Sequence, residues 1–201
     1  MQKNVIIIGA GGHGKVIADI VEASGDKLIG FFDDNLSGKI MGYDILGKTE
    51  NYAEYPEAFF VIAVGNNKIR RKIAEKIKGA KLYTAIHPSA SVSKYAKIGA
   101  GSVVCAGGVV APEVKLGEHC IVNHGAVADH ECKIGAFTHI SPNASVCGQC
   151  EIGESCHIGA GAVIKNNVFI YKNVTVGIGA AVAKSIDESG TYVGIPAVRI
   201  K

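Results

Sequence analysis

The chain contains no tryptophan, and aromatic residues make up only 6% of its 201 positions although hydrophobic residues make up 48%. A core without large rings must be filled by Val, Ile and Ala. With 26 glycines alongside them, this composition favours many short strands and turns over a helical bundle. No apolar run approaches the roughly 20 residues of a membrane span. The N-terminal MQKNVIIIGAGGHG runs into a glycine-rich turn after four apolar residues, unlike a secretion signal. The expectation is a soluble, cytoplasmic protein without membrane insertion. There is also no long basic run, and the net charge is only +3, so nothing in the charge balance calls for a nucleic-acid partner.

What is present in the second half is a repeat. From Ile86 to Asp187 the chain divides without a gap into 17 hexads, of which sixteen begin with Ile, Val or Leu; the exception begins at Ala128. Six residues advance an α-helix by about 1.67 turns, so no helix carries this period, whereas a parallel β-helix does. Each hexad supplies one short strand and one turn, and three hexads close a triangular coil of 18 residues. Residues 18 apart then stack on neighbouring coils, roughly 4.8 Å apart. First-position aliphatics fill the interior, and the small fifth-position residues fit near the corners. This accounts for the six cysteines. Cys120, Cys132, Cys150 and Cys156 fall at the fifth position, Cys105 and Cys147 at the second. Packing is their expected role rather than disulfides or a metal site.

The first half reads as a small open α/β domain. NVIII (4–8) has the pattern of a buried parallel strand, followed by GAGGHG and the helical pattern KVIADIVEAS. KLIGFFDD forms a second strand ending in Asp33 and Asp34, and AFFVIAVGNN a third with Gly65 at its tip. A basic amphipathic helix spans 68–79, giving the order β-α-β-β-α. The run Gly9-x-Gly11-x-x-Gly14 with an acid about 20 residues on matches a dinucleotide fingerprint. A domain of about 80 residues is half of what a full dinucleotide fold needs. Three readings stay open: a phosphate or sugar nucleotide at the helix N-terminus, NAD, or a tight turn that binds nothing.

Two groups of histidines carry possible chemistry. His124 and His130 take the third position of successive hexads and lie on different parts of the prism. His130 is followed at once by Glu131, and the stacking rule places Gly148 one coil away, leaving open space over the imidazole. A histidine with an adjacent carboxylate and a cleft above it suits a general base. His139 and His157 are 18 apart and stack on one face, where they could contact a ligand, bind metal or simply meet solvent.

The stretches IGAGGHGKV, FFDDN, IAVGNN, VADHECKIGAFTHISPNASVCG and GTYVGIPAVRI together resemble the bacterial nucleotide-sugar N-acetyltransferases of the bacillosamine and aminodideoxysugar type, relatives of the sialic acid O-acetyltransferases. The resemblance runs over the whole chain. It implies a Rossmann-like nucleotide-sugar-binding domain at 1–82 and a left-handed parallel β-helix at 83–201; the hand comes from the resemblance alone. It implies a cytoplasmic homotrimer with active sites at subunit interfaces. The reaction would move the acetyl group of acetyl-CoA to the 4-amino group of a nucleotide-linked 4-amino-4,6-dideoxysugar, UDP-linked in the first instance, for surface glycan or glycoprotein synthesis. His130 would be the base and Glu131 would raise its basicity. His139 and Gly148 would contact the acetyl-CoA thioester region, and Ala160 and Gly177 would line the pantetheine channel. Gly11, Gly12 and His13 would hold the sugar nucleotide, with Asp33, Asp34 and Gly65 nearby. No metal is implied. O-acetylation of sialic acid, a non-catalytic scaffold and an NAD-dependent oxidoreductase are the competing expectations.

Overall fold

The computed structural model describes residues 2–201. Strand β1 (Asn4–Ile8) leads into helix α1 (Gly12–Ala23), followed by β2 (Lys27–Phe32), β3 (Lys39–Ile40), β4 (Tyr43–Gly47), a 3₁₀ turn at Thr49–Glu54, β5 (Phe59–Ile62), α2 (Asn67–Lys76) and β6 (Lys81–Leu82). They form one sheet in the order β3-β4-β2-β1-β5-β6. β1 lies between β2 and β5, parallel to both, so the loops after all three open on one edge. The third glycine of the fingerprint brings α1 against the sheet: a Cβ on Gly14 would stand on the Gly9 carbonyl oxygen.

The β3–β4 hairpin and the 3₁₀ turn are additions to the order expected from the sequence. The hairpin turns on Met41 and Gly42, both at positive φ (52° and 84°). That is the backbone of a two-residue primed turn, and its Met-Gly pair lacks the usual Asn-Gly or Asp-Gly signal.

From Ala85 to Val182 the chain winds through parallel strands, all but one of two residues, that stack into three sheets; Gly190–Val193 adds a parallel strand to one of them, and Val198–Arg199 pairs antiparallel with it. Register follows the 18-residue rule: Val104 pairs with Val122, Val122 with Ile140, and Ile140 with Ile158. First-position residues fill the interior together with fifth-position Cys120, Cys132, Cys150 and Cys156. Each of these four thiols donates to a carbonyl fifteen residues on, at 3.0–3.1 Å, as Ser102 and Thr138 also do. All six cysteines are free.

The turns follow a rule of their own. Every fourth-position residue from Gly101 to Gly179 has positive φ, including Glu131, Phe137 and Asn143. A left-handed backbone is costly for a side chain. Here each of these turns from His119 to Gly179 is held by its N–H, which donates to a carbonyl of the coil before it; Glu131 N to Pro112 O at 3.0 Å is one example.

Sixth-position side chains point outward and give the three faces different characters. One face carries Ala85, Val103, Ile121, His139, His157 and Thr175. Its apolar end is continuous with the core under α1, so the α/β unit sits on this face. The second carries Ser91, Val109, Val127, Ser145, Val163 and Ala181, with no charge. The third carries Lys97, Lys115, Lys133, Glu151 and Phe169. Among the described residues no helix is long and apolar enough to cross a membrane.

Candidate active site

The covered face and the open edge of the sheet enclose a cavity of about 740 Å³, lined by Gly65, Asn66, Asn67, Lys68, His139, Ser155, His157, Asn173 and Thr175. His139 is 8% exposed. Its Nε2 lies 3.1 Å from Asn123 Nδ2. Asn123 Oδ1 accepts the His124 backbone N–H and faces His124 Nδ1, both at 2.9 Å, which leaves the Asn123 amide to donate. His139 Nε2 is therefore the acceptor and the proton sits on Nδ1. Buried Nδ1 has no hydrogen-bond partner among the described residues. Burial, then His157 and Arg70, push the imidazole down to about 3, so it is neutral at physiological pH. His157 meets it edge-on with ring centroids 5.0 Å apart.

His13 reaches the same region from the start of α1. Burial, with Arg70 and His124 beside it, pushes it down to about 4. Gly11 and Gly12 are exposed at the helix N-terminus, where no side chain caps the free N–H groups. Asp33 accepts from Ala10 N at 2.8 Å and from Asn35 N and Leu36 N. Burial pushes its pKa up, but these three donors outweigh burial and hold it low. Asp34 turns the other way: it accepts from Thr49 N at 2.8 Å and lies 3.9 Å from Lys76. Its carboxylate closes the 3₁₀ turn.

His130 lies elsewhere. It sits in the turn between Val127–Ala128 and Lys133–Ile134, on the edge where the uncharged and charged faces meet, opposite the covered face. Its Nδ1 is 3.1 Å from Glu131 Oε2, which also accepts from Gln149 Nε2 at 3.1 Å. With the proton held on Nδ1 toward the carboxylate, Nε2 is free to accept another. It faces the space above Gly148, where a Cβ would collide with it. Ala160 and Gly177 fall on the remaining edge, between the covered and uncharged faces; the Gly177 N–H is taken by Tyr192 O at 2.8 Å. One protomer thus assembles His13, Gly65 and His139 in one place and His130, Glu131 and Gly148 in another.

Residues 4–77 match the PglD N-terminal domain family, and residues 131–166 match the bacterial transferase hexapeptide family (six repeats). The chain superposes over its whole length on the whole acetyltransferase domain of PglB from Neisseria gonorrhoeae FA1090 in complex with acetyl coenzyme A, with TM-score 0.96 and 41% identity. It belongs to the hexapeptide-repeat nucleotide-sugar N-acetyltransferases. PerB from Caulobacter crescentus, in complex with CoA and GDP-perosamine, is 32% identical with TM-score 0.94, over 98% of this chain and 97% of its own. UDP-N-acetylbacillosamine N-acetyltransferase of Bacillus subtilis (strain 168) is 42% identical over 113 residues, 52% of each chain. The chain spans about half the length of the curated relatives it matches.

Within this family framework, the structure adds residues that sequence reasoning missed. Asn123 sets the His139 tautomer. Asn67 bridges from α2 to the coil, donating to Ser155 O and Cys156 O at 3.1 and 2.9 Å. Arg70, read from the sequence as one charge among several on α2, is 1% exposed. A signal for it existed: Arg70, Ile73, Ala74 and Ile77 share one helical stripe.

Proposed function

We propose that the protein is an acetyl-CoA-dependent N-acetyltransferase acting on the 4-amino group of a nucleotide-linked 4-amino-4,6-dideoxysugar, UDP-linked in the first instance, in surface glycan or glycoprotein synthesis. The observation that carries this reading is the placement of His130, with Nδ1 against Glu131 and Nε2 facing the space kept by Gly148. An ammonium group must lose a proton before its nitrogen can attack, and a neutral imidazole is suited to take it. Glu131, 3.1 Å from Nδ1, favours the imidazolium that results. Acetyl-CoA supplies the activated acetyl group; the free amine nitrogen forms the amide bond as the C–S bond breaks, the second proton of that nitrogen passes to the departing sulfur, and His130 returns the first proton to solvent. The edge of small residues at Ala160 and Gly177, with Ile178 exposed beside it, fits a pantetheine arm.

In place of the thioester contact that the resemblance implies for His139, this reading puts the sugar nucleotide in the cavity over it, with its phosphates near the N-termini of α1 and α2. His130 lies on the far edge of the same prism, so the acetyl acceptor and the base meet only if a second copy brings its edge to this cavity. The uncharged face is the surface such an assembly would bury, and a closed ring of three is the simplest symmetry for a triangular prism. A homotrimer in the cytoplasm, where acetyl-CoA is available, is the state we propose.

The reading is tested by following thiol release from acetyl-CoA with UDP-, dTDP- and GDP-linked 4-amino-4,6-dideoxysugars, alongside sialic acid. Turnover of an amino sugar, lowered about 10²-fold or more in His130→Ala, supports it. Turnover of sialic acid alone would replace it by O-acetylation.

A further inference from the structure

Arg70 is a buried cation with no anionic partner among the described residues. Its Nε donates to His119 O at 2.8 Å, Nη1 to Val64 O at 2.9 Å and Gly65 O at 3.1 Å, and Nη2 to Asn67 Oδ1 at 2.8 Å and Phe137 O at 2.7 Å. Every acceptor is a neutral carbonyl, and they come from three places: the loop after β5, the first turn of α2, and two consecutive coils. The next residue continues the clamp. Arg71 stacks on Phe137, its guanidinium carbon 4.3 Å from the ring centroid, and pairs with Glu154 and Ser155 at 3.0 and 2.9 Å. Phe137 in turn stacks on His119 at 5.1 Å, and it holds a left-handed backbone, φ 60°.

If joining two units were the only task, apolar packing would do it at lower desolvation cost. Carbonyl dipoles satisfy the N–H groups of Arg70 but leave its full charge in place. Two of its partners, Gly65 and Asn67, line the cavity that His139 faces. Building on the sugar-nucleotide reading above, we propose that Arg70 is a positioning residue for that substrate: it clamps the Gly65–Asn67 loop onto the coil and lends the cavity a fixed positive charge for the diphosphate. Its charge also adds to burial in lowering the pKa of His13, His139 and His157, and it lowers that of His119 against the opposing effect of Glu118.

The test is calorimetric titration of the full chain and of Arg70→Met and Arg70→Lys with UDP, dTDP, GDP and acetyl-CoA. For a folded Arg70→Met, nucleoside diphosphate affinity should fall about tenfold or more, while acetyl-CoA affinity stays within about twofold. Arg70→Lys keeps the charge but cannot reproduce the five-donor fork, and should fall between the wild type and Arg70→Met. A role confined to stability predicts parallel losses for both ligands, and that pattern overturns the proposal. So does wild-type nucleotide affinity in either folded variant. If Arg70→Met does not fold, Arg70→Lys decides by the same comparison. Wild-type protein that binds acetyl-CoA but none of the three diphosphates would remove the sugar-nucleotide reading itself, and the role of Arg70 with it.

Discussion

Gly148 stands where any side chain would press on His130 Nε2. The two residues are 18 apart, one above the other on adjacent coils, and the absence of a Cβ in one is what exposes the ring nitrogen of the other. Gly148→Ala should therefore act on chemistry rather than on folding. The imidazole is half-exposed and can swing aside, so the thermal midpoint should change little. Turnover should fall about 10²-fold, as it does when a general base is lost, with acetyl-CoA affinity near normal. Steady-state kinetics with a melting curve check this; full activity would mean that Nε2 takes no proton.

His139 makes stability depend on pH in a definite direction. Its folded value is about 3, while an unfolded histidine titrates near 6.5. Between those values the unfolded chain binds the extra proton, so stability is lost as pH falls through that window and is unaffected above it. At pH 5 the loss from this residue is about 2 kcal/mol. Chemical denaturation at pH 7 and pH 5 should show a decrease that shrinks in His139→Gln. An equal decrease in the variant would show that His139 is not the group responsible.

The uncharged face offers a test of assembly. Val163 is 46% exposed at its centre line, flanked by Ser145 and Ala181 on neighbouring coils. Val163→Lys places a charge where copies would meet. Light scattering on a sizing column should show dissociation, and thiol release should fall with it, because separated protomers cannot join the His130 edge to the His139 cavity. A monodisperse, fully active monomer would reject the composite site.

The coil was legible because its signal is repeated seventeen times, and even the exceptions had meaning: Ala128, the one short first position, opens the hexad that carries His130. The outward stacking of His139 on His157 followed from the same arithmetic. Less regular features left weaker traces. The β3–β4 hairpin turns on a Met-Gly pair that carries no distinctive turn chemistry. Asp34 looked like a partner of Asp33 in a ligand site, but both lie in the bend just past the end of β2, where their side chains diverge, and Asp34 is spent on Thr49. Arg70 was hidden because a helix rich in Lys and Arg does not show which charge is buried. Its burial is decided by carbonyls of coils some fifty to seventy residues away, and no local pattern encodes them.

The sixth-position residues also make the prism a graduated rule. Each face is marked every eighteen residues, at intervals of roughly 4.8 Å, and the marks are independent of the filling behind them. Ile121, His139, His157 and Thr175 are four successive graduations on the covered face. Moving a ligand contact by one step requires exchanging residues at two marks, not rebuilding a loop. A fold built this way can shift an outward contact along one face in increments of one coil, while the other faces and edges keep their own count.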